Sequence, residues 1–178
     1  ECFSFYPTKN MTTGEGGMVT TNDEKLYHML DSIRNHGRPD STLGKYEHIR
    51  FGLNLRITDI GSAIGRVQLN KLPKFNTIRN RNAMLLLEGL TGLEGIILPS
   101  IPEGYKHVWH QFTIRLDDRE SLSEYLKSKD IETRTYYPRL VQDYPHLEQF
   151  SSECPTASKV VDQVISLPVH PSLTEQDI

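Results

Sequence analysis

Cysteine is scarce in this chain, with two in 178 residues, Cys2 and Cys154. Their separation fits neither a metal-binding nor a redox pair, and two cysteines do not make a disulfide scaffold. Free thiols in a reducing cytoplasm are therefore expected. No stretch approaches the ~18 consecutive apolar residues of a membrane span. Residues 1–5 carry no basic segment ahead of an apolar one, so no secretory signal is read there. Without such a signal, the acceptor-like triplet Asn10-Met11-Thr12 carries no weight. Neither sign of charge dominates: 20 Lys and Arg stand against 23 Asp and Glu, a net charge of −3. No basic cluster stands out, so nucleic acid is not an expected partner. Repeats and low-complexity segments are absent.

What is present suits a globular chain. Apolar residues make up 37% and charged residues 24%, and the length suffices to bury a core without covalent staples. Residues 2–6 read as a buried strand ended by Pro7, and 18–21 as a second strand. Asp23 predicts a helix cap, followed by Leu26, Met29, Leu30 and Ile33 at helical spacing, with Gly37 as the stop. Residues 38–57, with Pro39, Gly44 and Gly52, form a long irregular segment, which in a compact domain is usually functional or disordered. Thr58 opens another helical pattern through Ile60, Ala63, Ile64 and Val67. Pro73 leaves open two helices or one kinked helix running to Leu90.

Beyond Gly92 the composition changes. Strands are predicted at 96–98, 112–116, 131–137 and 165–169. A helix is predicted at 119–129 with Leu122, Tyr125 and Leu126 inward, and another from Pro155 with Ala157, Val160, Val161 and Val164 as its stripe. Mixed elements imply an α/β or α+β fold with a boundary near residue 92. The chain already reads as structured at its first residues, and 172–178 resemble the cap and first turn of an unfinished helix. A piece of a longer protein is expected.

The chemistry concentrates in Ser4-Phe5-Tyr6-Pro7-Thr8-Lys9-Asn10-Met11-Thr12-Thr13-Gly14-Glu15-Gly16-Gly17. A strand delivers one lysine onto a loop, where its amine can serve as a nucleophile. Ser4 offers a hydroxyl, and Gly14, Gly16 and Gly17 allow close backbone approach. A lysine beside anion donors is what a phosphorylated aldehyde cofactor requires. Taken singly, each feature is equally at home on a plain surface turn, and no Gly-Lys-Ser/Thr run makes this a nucleotide-phosphate loop.

The ordered motifs sharpen that reading. Ser4-Phe5, Lys9 and Thr13-Gly14-Glu15-Gly16-Gly17 resemble the lysine segment of the DegT/DnrJ/EryC1/StrS family of sugar aminotransferases. Arg34-Asn35-His36-Gly37-Arg38 resembles a later family segment. So do Gly52-Leu53-Asn54-Leu55-Arg56-Ile57-Thr58-Asp59-Ile60 and Ala63-Ile64-Gly65 with Gln68-Leu69. His107-Val108-Trp109-His110 and Ser166-Leu167-Pro168 resemble the C-terminal half.

The resemblance implies the C-terminal part of a fold-type I pyridoxal-phosphate transferase of α/β class. Residues 1–92 would hold the lysine-bearing end of the large domain with linking helices, and 93–178 a small α+β domain. It implies that Lys9 attaches pyridoxal 5′-phosphate covalently and that Ser4 bonds its phosphate. Asn54 would reach the phosphate of a neighbouring subunit's cofactor, in a homodimer with shared sites. Arg56 would either help there by charge or form a structural salt bridge. The implied reaction moves an amino group, generally from glutamate, to a nucleotide-linked ketosugar for cell-envelope sugar biosynthesis in the cytoplasm. The Asp that pairs with the pyridine nitrogen and the aromatic that stacks on the ring are not found here, so this chain alone is expected to be inactive.

Alternatives are a dehydratase of the same family, which replaces the lysine, usually by His, and a regulatory homologue with a relic site. Tyr136 stands where many members have His. No metal is expected: His107 and His110, with strand-like flanks, would face opposite ways, leaving a substrate or structural role. Trp109 is expected in core or interface, Tyr136 and Tyr137 in packing. Glu15 either orients the lysine loop or bonds within its own turn.

Overall fold

A computed structural model describes residues 1–39 and 46–178, so Gly44 lies outside the described residues. The chain forms two compact units, Glu1–Pro73 and Lys74–Ile178. Each holds one two-stranded antiparallel sheet. The compositional shift at Gly92 coincides with the end of a long helix, whereas the units divide inside that helix.

In the first unit, β1 (Cys2–Ser4) pairs with β2 (Gly17–Val19), setting Cys2 opposite Val19 and Ser4 opposite Gly17. The strand expected at 2–6 is shorter, and all its residues are exposed rather than buried. A two-stranded ribbon has no layer of its own to cover its faces. Helix α1 (Glu24–Arg34) begins where expected: the Asp23 carboxylate accepts from the Leu26 amide at 3.1 Å. That bond satisfies one of the donors a helix start leaves open. At its other end the Asn35 and Gly37 amides both reach the Ser32 carbonyl, at 3.1 and 2.8 Å. Gly37 makes this closure with φ +72°, a left-handed conformation suited to glycine.

Helix α2 (Asp59–Leu90) is one helix running through Pro73. Thr58 caps it, its hydroxyl accepting from the Gly61 amide at 3.0 Å. The proline withholds one amide but leaves the flanking turns helical.

In the second unit, β3 (Phe112–Arg115) pairs with β4 (Val164–Leu167). Ala83, Trp109, Phe112, Ile114, Ile165 and Val169 form the buried core, with Leu86, Leu87, Leu90 and Leu122 packed on it. Helix α3 (Arg119–Ser128) is capped by Asp118, which accepts from the Ser121 amide at 3.2 Å. Tyr125, expected inward, is exposed, with the Lys129 ammonium over its ring. Helix α4 (Pro155–Val161) starts at the proline as predicted.

Two predicted strands are corrected. Residues 96–98 make one bridge, Ile97 to Arg115, because Pro99 and Pro102 beyond it offer no amide. Residues 131–137 also make one bridge, Arg134 to Ser166. The Ile131 amide is diverted to the Leu126 carbonyl, closing α3 instead of extending a sheet.

Candidate functional site

The segment from Phe5 to Gly16 is a closed loop stapled across its base. The Phe5 amide donates to the Gly16 carbonyl at 2.9 Å, and the Phe5 carbonyl accepts from both the Thr13 amide (3.0 Å) and the Thr12 hydroxyl (2.9 Å). Within it, the Lys9 amide donates to the Tyr6 carbonyl at 3.0 Å, a turn that lifts the lysine off the strand axis. Lys9 is half-buried. Ser4 is exposed on β1, and its oxygen accepts a long 3.4 Å bond from the Tyr6 amide. The Ser4 hydroxyl proton is the donor such a group would offer an anion.

Thr13 fixes the loop from beneath. It is buried, and its hydroxyl donates to the Glu15 carbonyl at 2.7 Å. Room for it depends on two glycines. A Cβ on Gly65 of α2 would stand 2.9 Å from the Thr13 methyl, and one on Gly16 would stand 2.5 Å from its hydroxyl. Sequence reading singled out the loop glycines but gave Gly65 no such duty.

Asn54 sits on another part of the same unit, on the segment that closes α1. The Leu53 amide donates to the Ile33 carbonyl (2.8 Å) and the Leu55 amide to the Arg34 carbonyl (2.9 Å). Helix carbonyls that would otherwise lack partners are thereby satisfied, and Asn54 is held opposite Asn35. The segment approaches closely because two glycines face each other: a Cβ on Gly52 would fall 2.1 Å from the Gly37 nitrogen. Asn54 and Arg56 are both exposed, and the Arg56 Nε–H donates to the Asn54 Oδ1 at 2.9 Å. Neither half of the expectation for Arg56, charge or an ion pair, foresaw this bond. A cavity of about 750 Å³ lies between the glycine loop and this segment, lined by Thr13, Gly16, Gly17, Arg34, Arg56 and Thr58.

The remaining candidates are in the second unit. Trp109 is 1% exposed, a core residue as expected. Its indole nitrogen donates to Asn80 at 3.2 Å, and its ring lies 4.1 Å from that of His107. His107 has a structural bond, its Nδ1 accepting the Trp109 amide at 2.9 Å. The flanks of these histidines are not strands, and Trp109 has φ +46°. The buried Arg79, which sequence reading passed over, donates to the Trp109 and His110 carbonyls at 3.1 and 3.3 Å. Burial lowers its pKa. Tyr136 and Tyr137 are exposed and meet edge to face.

Ser4 and Lys9 are thus brought onto one hairpin, and Asn54 onto the collar of α1. The donors available, an amine, a hydroxyl and an amide NH₂, suit a phosphorylated carbonyl compound.

Over residues 1–178 the sequence matches the DegT/DnrJ/EryC1/StrS aminotransferase family. It is 38% identical over 179 residues to a UDP-N-acetyl-3-dehydro-alpha-D-glucosamine 3-aminotransferase of Acidithiobacillus ferrooxidans, covering 99% of this chain and 47% of that one. It is 37% identical over 175 residues to a dTDP-3-amino-3,4,6-trideoxy-alpha-D-glucose transaminase of Streptomyces venezuelae, covering 96% and 45%. The crystal structure of S. venezuelae DesV in complex with a ketimine intermediate superposes with a TM-score of 0.90 at 35% identity, covering 99% of this chain and 47% of that one. Other relatives bear the names of a sugar 3-dehydratase and of a pleiotropic regulatory protein. The chain spans about half the length of the curated relatives it matches. With the match extending from its first residue to its last, the chain belongs to the DegT/DnrJ/EryC1/StrS aminotransferase family.

Proposed function

We propose that the protein carrying this chain is a pyridoxal-phosphate-dependent aminotransferase acting on a nucleotide-linked ketosugar, with glutamate as amino donor. The observation that carries this reading is Lys9, on the stapled loop that follows the strand bearing Ser4, within a chain that matches the family throughout. The alternative of a dehydratase is disfavoured by that same lysine.

The donor set fits the cofactor. Lys9 Nζ would hold its aldehyde carbon, Ser4 Oγ would donate to its phosphate, and Asn54 Nδ2 would donate to the phosphate held by a second subunit. When bound, the cofactor serves as an electron sink. Lys9 Nζ would then be the base that takes up a proton from the carbon bearing the amino group and the acid that gives it back. The Phe5–Gly16 staples keep the amine within reach while it does so. In this reading residues 1–92 belong to the large domain, 93–178 form the small one, and the active sites are shared across a homodimer.

The test uses the full-length protein. With cofactor added, the wild type should show the absorbance band of lysine-bound cofactor. With glutamate and a nucleotide-linked ketosugar, it should form the aminosugar. Lys9→Ala should lose the band and slow turnover by roughly 10³-fold or more. A full-length protein that never takes up the cofactor would favour the regulatory reading, which one relative's name also suggests.

A further inference from the structure

Asn54 presents a chemical ambiguity that its neighbour resolves. An asparagine amide is nearly symmetric in shape but opposite in function at its two ends: Oδ1 accepts, Nδ2 donates. Turned one way it attracts an anion, and turned the other way it repels one. The side chain is exposed, so packing does not set the choice. Arg56 Nε–H, a donor with no accepting capacity, meets Oδ1 at 2.9 Å. The residues are two apart on an extended segment, where side chains share a face. The backbone beneath is pinned by Leu53 and Leu55 to the end of α1.

We infer that Arg56 is a positioning residue that fixes the Asn54 amide with its NH₂ outward, making Asn54 a dedicated donor to a phosphate monoester. The inference rests on the proposed cofactor reading and adds to it a route by which Arg56 acts, through Asn54 rather than on the anion. The guanidinium polarises the amide and strengthens the outward N–H donors, as charged partners do in chains of hydrogen bonds.

The experiment compares dissociation constants of pyridoxal 5′-phosphate and of pyridoxal, which lacks the phosphate, in the full-length protein. Wild type, Arg56→Ala, Arg56→Lys, Asn54→Ala and the double alanine variant are titrated. Arg56→Ala should weaken the phosphorylated ligand by about tenfold, the scale of one hydrogen bond involving a charged group, and leave pyridoxal unchanged. Arg56→Lys keeps the charge but not the fixed Nε–H, and should restore only part of the loss. In the Asn54→Ala background, Arg56→Ala should cost nothing more. Additive losses in that cycle would overturn the inference by showing direct action of Arg56 on the anion. Equal weakening of pyridoxal would also overturn it, as a general structural effect. If Asn54→Ala itself leaves both ligands unaffected, the assignment of Asn54 to the phosphate fails, and the inference fails with it.

Discussion

Single glycines separate close approach from open space. Gly52 and Gly37 meet backbone to backbone, and a Cβ on Gly52 would lie 2.1 Å from a main-chain nitrogen and 2.7 Å from the His36 carbonyl carbon. No rotamer change relieves such a contact. Gly52→Ala should destabilise the protein by about 3 kcal/mol, the upper range of overpacking, and, on the role proposed for Asn54 two residues later, should weaken cofactor binding. Gly89, on α2 with nothing within 4 Å of its would-be Cβ, supplies the contrast. Gly89→Ala should stabilise by about 1 kcal/mol through helix propensity alone. Denaturant titration of the two variants checks both signs. At this scale the sequence was half legible. Lys9, Ser4 and Asn54 stand out through their motifs. The Gly37–Gly52 contact joins residues far apart along the chain, and the Arg56–Asn54 bond depends on side-chain rotamers that neighbouring identity does not fix.

Elements in this protein act as beds for loops. The first turns of α2 carry Gly61 and Gly65, and Thr13 of the lysine loop rests where Gly65 lacks a side chain. Gly65→Ala should drive the Thr13 methyl outward, costing about 1–3 kcal/mol and, on the role proposed for Lys9, lowering cofactor occupancy. Thr13→Ser removes the obstructing methyl and keeps the hydroxyl that donates to Glu15. In the Gly65→Ala background it should recover most of both losses. If the double variant is no better than the single one, the contact is not what seats the loop. Helix starts at Asp23, Thr58 and Pro155 were legible because caps and prolines act locally. The strands at 96–98 and 131–137 were misread because apolar content alone does not supply a ladder partner, and there the amides are missing or diverted. Pro73 left the number of helices open because a proline breaks a helix only when the surrounding turns do not hold it.

At the scale of the whole molecule, apolar burial is unevenly distributed. The core of Ala83, Trp109, Phe112, Ile114, Ile165 and Val169 lies within Lys74–Ile178. In Glu1–Pro73, Phe51, Leu55, Ile60 and Val67 are all at least half exposed. Hydrogen exchange on this chain alone should therefore find the amides of β3 and β4 the most protected, and those of β1 and β2 exchanging far sooner. Equal protection in both sheets would refute that division.

The collar around α1 carries a consequence for how the protein responds to a bound anion. Because Leu53 and Leu55 donate to carbonyls of the last helical turn, the turn cannot fray without releasing the stretch that bears Asn54. Fraying and release are one event with one free energy. An anion that tethers Asn54 must then quieten the end of an eleven-residue helix, and anything that loosens that helix end must shorten the anion's stay.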